Sequence, residues 1–152
     1  MMQAQPGTYA LIMNCDSDQR VEIGKLGQLF VRPGFYVYVG SAFGPGGLKA
    51  RIEHHVKVSH RPHWHIDYLR PICHLKEVWY SFESERYEHR WADALSRFER
   101  ATIPLAGFGA SDCSCPSHLF RFSRKPSIRL FRDRWQCHIQ DYCKQPDPKD
   151  VN

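Results

Sequence analysis

Apolar residues run unbroken from Tyr9 to Met13 in GTYALIM, and the polar residues Asn14 to Ser17 stop them. This predicts a buried strand and a turn. Arg20–Ile23 and Gln28–Val31 flank the turn-forming Gly24–Gly27, with Pro33 and Gly34 closing the segment, which predicts a short hairpin. Tyr36–Gly40 is the next strand: Tyr36, Tyr38 and Gly40 face one way, Val37 and Val39 the other, so the valines should enter a core and the tyrosines lie opposite. After the glycine- and proline-rich turn at 40–47 the period changes. Leu48, Ile52 and Val56 recur every four residues and predict a helix from Leu48 to about Val58.

Ser59–His65 is polar and proline-broken, and Ile66–Leu69 reads as a short helical turn. His74–Phe82 alternates as a strand. From Glu85 to about Arg100 the apolar Tyr87, Trp91, Leu95 and Phe98 take helical spacing, with Ser84 as the expected N-cap. Leu119–Phe122 and Ile128–Phe131 read as a further hairpin, and Arg132–Cys143 as a last helix. The polar, proline-containing tail 144–152 lacks an apolar anchor and should fray. The resulting expectation is an α+β domain over 1–143: a small antiparallel sheet flanked by helices, with an extra hairpin between two of its strands.

At 152 residues the chain suits one core. Its 21 basic against 16 acidic residues give a net charge of +5, which favours anionic partners, nucleic acid first. No apolar run is long enough to cross a bilayer, and MMQAQPG lacks the basic start and apolar centre of a signal peptide, so a cytoplasmic protein with no membrane association is expected. In that reducing setting the six cysteines should be thiols or metal ligands instead of disulfides.

Three groups of residues carry chemistry. Arg51 and His55, one helical turn apart, can converge on a point, or they form a solvated face. Cys113, Cys115 and His118 can converge on zinc, with Cys137, His138 or Cys143 as a fourth ligand, or the thiols simply sit in a tight turn. His63-Trp64-His65 suits a metal only if its loop folds back. The glycines at 40, 44, 46 and 47 let backbone approach a ligand, although the phosphate-loop Gly-Lys-Ser/Thr pattern is absent.

With Gly7-Thr8-Tyr9 and Tyr38-Val39-Gly40 on successive strands, then Arg51 and His55 on one helix and Glu88 on a later one, the chain resembles the GIY-YIG nuclease superfamily. PGFYVYVGSA, GGLKARIEHH, HWHIDYL and GFGASDCSCPSHLF resemble more closely an uncharacterised GIY-YIG-like subfamily, some of whose members are fused to endonuclease III-type glycosylases. That resemblance implies a three-stranded antiparallel sheet with flanking helices and a DNA endonuclease acting in repair or recombination. Glu88 would bind Mg²⁺ or Mn²⁺, Tyr9 or Tyr38 would orient or deprotonate water, Arg51 would grip the phosphate and His55 would relay a proton. Gly40, Ser41, Lys49 and Arg51 would bind substrate. The chain departs from the pattern in having Thr8 in place of isoleucine, 28 residues between Tyr9 and Tyr38, and no assignable late asparagine, whose space Ser111, Asp112 or His118 would fill. Two other readings are a nucleic-acid-binding module without catalysis and a zinc-stabilised interaction domain.

Overall fold

A computed structural model describes residues 2–58, 61–110, 113–135 and 140–142, with positions 133–135 and 140–142 described by backbone alone. The elements in chain order are β1 (Gly7–Cys15), β2 (Gln19–Ile23), β3 (Gly27–Val31), β4 (Gly34–Ala42), α1 (Gly47–Val56), α2 (His65–Leu69), β5 (His74–Phe82), α3 (Glu88–Ser96), β6 (Leu119–Phe122), α4 (Ile128–Trp135) and β7 (Gln140–Tyr142). The fold is α+β. Its main sheet is antiparallel with strand order β6-β4-β1-β5-β7, and β2 and β3 form a separate pair. Two more strands therefore join the sheet than the three that the resemblance implies.

β1 lies in the centre because it is apolar on both faces, and β4 and β5 pair along nearly its whole length. Tyr9, Leu11, Tyr38 and Val78 enter one core with Leu48 and Ile52 of α1 and Ile66 and Leu69 of α2. Ala10, Ile12, Val39 and Trp79 enter the other with Trp91 and Leu95 of α3 and Phe131 of α4. The expected split of valines inside and tyrosines opposite is thus replaced by two cores, one on each face. The β2–β3 hairpin does not project: Ile23, Leu29 and Val31 are buried in the first core.

Two helices differ from the sequence expectation. The segment expected as a strand, Ile128–Phe131, is the start of α4, and the expected last helix, 132–143, is replaced by the end of α4 and the short strand β7 on β5. Both periods fit Ile-Arg-Leu-Phe, but the helix buries Phe131 against Trp79 (centroids 5.3 Å apart) and Trp91 (5.1 Å) and leaves Leu130 exposed. Ser127 Oγ accepts the Leu130 N–H, a helix-starting bond. α3 is shorter than expected and begins at Glu88 with Tyr87 as N-cap, so Ser84 caps nothing. Glu88 therefore occupies the first helical position, where the helix dipole favours negative charge. The tail 144–152 lies outside the described residues.

Asp67 holds the loop before α2. Its buried carboxylate accepts the His63 and Trp64 backbone N–H groups at 2.9 and 3.0 Å and lies 3.0 Å from His54 Nε2. Burial alone would raise this carboxyl, but those bonds hold it below its ordinary value. α1, α2 and the intervening loop are thereby tied together.

Phe131→Ala should destabilise the protein by about 3–5 kcal/mol, the usual cost of emptying a fully buried phenylalanine site, whereas Leu130→Ala should change stability by no more than about 0.5 kcal/mol. Denaturant unfolding of both variants measures this, and equal effects would contradict the packing of α4.

Candidate active site

β6 pairs with β4 only from Phe35 to Tyr38, and the His118 carbonyl then extends the ladder by accepting the Val39 N–H at 2.9 Å. Beyond that point no strand among the described residues pairs with the outer edge of β4. Gly40 and Ser41 there form one wall of a cavity of about 370 Å³, whose other walls come from α1, the 63–65 loop, the start of α3 and the 109–118 loop. Such a volume is in the range that holds small ligands.

Tyr38, Arg51 and Glu88 all line this cavity, although they come from a strand and two different helices. Tyr9 and His55 lie behind the wall. Tyr9 is fully buried, and its hydroxyl is 2.7 Å from His55 Nε2. The Tyr9, Tyr38 and His55 rings form a cluster, with centroids 5.3 to 6.3 Å apart. Gly40 stands opposite Tyr9 in the β1–β4 register, and a Cβ there would lie 2.5 Å from the Tyr9 hydroxyl oxygen. Only glycine leaves room for the phenol. Gly109 has the same function on the other side: its φ of 68° is left-handed, and a Cβ would lie 2.9 Å from the Tyr38 ring.

Burial raises the pKa of both phenols above the ordinary tyrosine value, and both therefore stay protonated at neutral pH. Arg51 opposes this at each of them, while the Glu88 carboxylate reinforces it. His55 is depressed to about 3, by burial first and then by His54, with Asp67 opposing and Arg51 and Arg70 adding to the depression. It is a neutral imidazole at any physiological pH, and its buried Nδ1 has no hydrogen-bond partner among the described residues. A neutral Nε2 beside a protonated phenol accepts its hydrogen bond. The Arg70 guanidinium donates to the His55 carbonyl at 2.7 Å and so fixes this end of α1.

The expected convergence of Arg51 and His55 occurs around the Tyr9 hydroxyl: His55 Nε2 meets it at 2.7 Å, and the Arg51 charge favours its ionised form. The Arg51 guanidinium lies 4.1 Å over the Trp64 ring, a cation–π contact that holds it at the cavity mouth. Trp64 was not among the expected site residues, because only the Asp67-held loop brings it beside α1. Lys49, expected at the site, is exposed on α1 and is not part of the cavity wall. His65 also lines the cavity, but its Nδ1 accepts the Gly109 N–H at 2.8 Å and is not free for a metal.

The zinc candidates meet a residue that the sequence reading overlooked. Cys113 Sγ is 3.3 Å from His118 Nε2, and Cys115 Sγ is 3.4 Å from Nδ1 of His89. These four donor atoms all lie within 4.8 Å of one another. Cys137, His138 and Cys143, the expected sources of a fourth ligand, lie outside the described residues, as do Ser111 and Asp112. His89 is off the apolar stripe of α3, so periodicity carries no trace of it. His118 Nδ1 faces Glu88 Oε2 at 3.8 Å.

The chain belongs to a family described as "Domain of unknown function DUF123", which matches residues 8–138. No curated protein and no solved structure matches it.

A buried neutral histidine makes stability depend on pH. Because the unfolded His55 would titrate near ~6.5 and the folded one at about 3, its contribution is present above the unfolded value and is lost as pH falls between the two. Over that window the unfolding free energy of the wild type should therefore rise with pH, and His55→Gln should reduce that slope by up to about 1.4 kcal/mol per pH unit, the worth of one proton. Denaturant titrations at a series of pH values give the slopes, and an unchanged slope in the variant would refute the assignment.

Proposed function

We propose that this member of the DUF123 family is a metal-dependent endonuclease of the GIY-YIG type that hydrolyses phosphodiester bonds in DNA. The observation that carries the reading is that Tyr38, Arg51 and Glu88, remote in sequence, line one cavity with Tyr9 and His55 directly behind. DNA as the substrate, and repair or recombination as the setting, rest on the sequence resemblance together with the net charge of +5. Arg51 and Arg86 bring positive charge to the cavity wall itself.

A divalent cation such as Mg²⁺ or Mn²⁺ fits the donors present. Glu88 supplies one hard carboxylate, partly exposed to the cavity, and a cation of this class keeps several waters and takes its remaining ligands from substrate phosphate. When bound, the ion supplies electrostatic stabilisation of charge on the phosphate and on the leaving oxygen. Glu88, which shares the cavity with Tyr38, would hold it. Arg51, held in place by Trp64, donates to the non-bridging phosphate oxygens with its two-pronged geometry.

Tyr38 orients the attacking water. Burial first, then the Glu88 and Asp67 charges, hold its hydroxyl in the protonated form. With the Glu88 charge offset by a cation and Arg51 in place, the phenol would give up its proton to solvent; the phenolate would then take a proton from the water as the water oxygen bonds to phosphorus. The bond from phosphorus to the leaving sugar oxygen then breaks, and that oxygen takes a proton from solvent. Tyr9 and His55 keep Arg51 and Tyr38 in place from behind. The free thiols at Cys15 and Cys73 suit a reducing compartment, and we place the protein in the cytoplasm. Among the described residues no helix is long and apolar enough to cross a membrane.

With Mg²⁺ or Mn²⁺, the wild type should cut single-stranded, duplex or branched DNA. Glu88→Gln and Arg51→Ala should each lower the cleavage rate by roughly 10²–10⁴-fold, and Tyr38→Phe by a comparable factor. Gel-based cleavage with matched binding measurements tests this. Cutting that survives both Glu88→Gln and Arg51→Ala would overturn the site, and salt-sensitive DNA binding without cutting in the wild type would identify a binding module instead.

A further inference from the structure

We infer that His89, Cys113, Cys115 and His118 form a four-coordinate zinc site that fastens the first turn of α3 to the 113–118 loop. The site is distinct from the hard-cation position at Glu88. Tetrahedral zinc with Zn–S near ~2.3 Å and Zn–N near ~2.0–2.1 Å has S···N edges of about 3.5 Å. The two thiol–imidazole distances, 3.3 and 3.4 Å, are already those edges. All four donor atoms lie within 4.8 Å of one another, although one ligand comes from a helix and three from a loop. Two sulfurs and two imidazoles without a carboxylate select zinc over Mg²⁺ or Ca²⁺.

The loop is folded to present its three ligands without the metal's help. Cys113 N–H bonds to the Ala110 carbonyl at 3.3 Å, Gly107 N–H to the Pro116 carbonyl at 2.7 Å, and His118 N–H to the Phe108 carbonyl at 2.8 Å. A second, independent observation comes from the far side of the His118 ring. Its Nδ1 is buried, has no hydrogen-bond partner among the described residues and faces Glu88 Oε2 at 3.8 Å. A histidine that ligates zinc through Nε2 must carry its proton on Nδ1, and such histidines usually direct it to a carboxylate. Zinc at this site would assign that tautomer and point the N–H at Glu88. Glu88 then has two functions: it accepts from a zinc ligand on one side and faces the cavity on the other. Binding converts both thiols to thiolates and releases their two protons to solvent.

The rival arrangement is a metal-free pair of thiol–imidazole hydrogen bonds. Metal analysis of the intact chain, purified without chelator after expression with added zinc, should find about one zinc per chain. Cobalt(II) exchanged into the wild type should give the visible bands of a tetrahedral centre and thiolate-to-metal charge transfer. Cys115→Ser and His89→Ala should each lose the stoichiometric zinc, while Glu88→Gln should keep it with affinity weakened roughly 10–100-fold. If the ligand variants fail to fold, the cobalt spectrum and chelator competition on the wild type still decide. Wild type without zinc, or cobalt bound without thiolate bands, overturns the site, and full zinc retention in a folded His89→Ala removes that ligand. These measurements read the metal and not cleavage, so they are independent of the nuclease reading.

Discussion

A phenol hydroxyl sealed inside a protein must find a polar partner there, because leaving it unpaired costs on the order of 1–3 kcal/mol. Tyr9 meets this requirement with His55 Nε2, 2.7 Å away, and much of the architecture accommodates that bond. It fixes the rotation of α1 over the sheet, so that Arg51, one turn before His55, faces the end of β4. It demands glycine at position 40, where any side chain would displace the ring. The Arg70–His55 and Asp67–His54 contacts then brace the same helix from below. The cavity exists where it does because α1 has so little freedom to lie anywhere else.

Electrostatics around that bond are arranged in a graded way. His55 is neutral because it is buried, the two phenols are protonated for the same reason, and Arg51 is the charge opposing that protonation at both. Glu88 acts in the opposite sense. Whatever neutralises Glu88 therefore shifts the acidity of Tyr38, so the carboxylate and the phenol are linked without touching. The same Glu88 also faces His118, which places the proposed zinc ligands and the proposed catalytic groups within one set of interacting side chains.

Much of this was legible in the residues. Strand β1 is carried by an unbroken apolar run, β4 and β5 by alternation, the hairpin by its turn residues and α1 by a four-residue stripe, and Tyr38, Arg51 and Glu88 do share a wall. The failures have physical causes. Ile128–Phe131 satisfies two periods at once, and only the aromatic slot formed by Trp79 and Trp91, from distant segments, selects the helix. Trp64 and His89 are placed by tertiary contacts, the first by a loop held on Asp67 and the second by a helix start that no capping residue announces. The tyrosines were expected on a face opposite the core, but a sheet covered on both sides has no such face.

The open edge of β4 has a consequence of another kind. A strand whose backbone donors and acceptors are exposed is a template for pairing with another chain, the usual start of edge-to-edge aggregation. Here β6 covers its first half, and His118 continues the cover by only one further hydrogen bond before the edge opens into the cavity. The cavity walls from α1 and the 109–118 loop stand beside Gly40 and Ser41 and so limit how another strand can approach this edge. Loosening the 109–118 loop should for that reason show first as self-association of the protein, before any general unfolding.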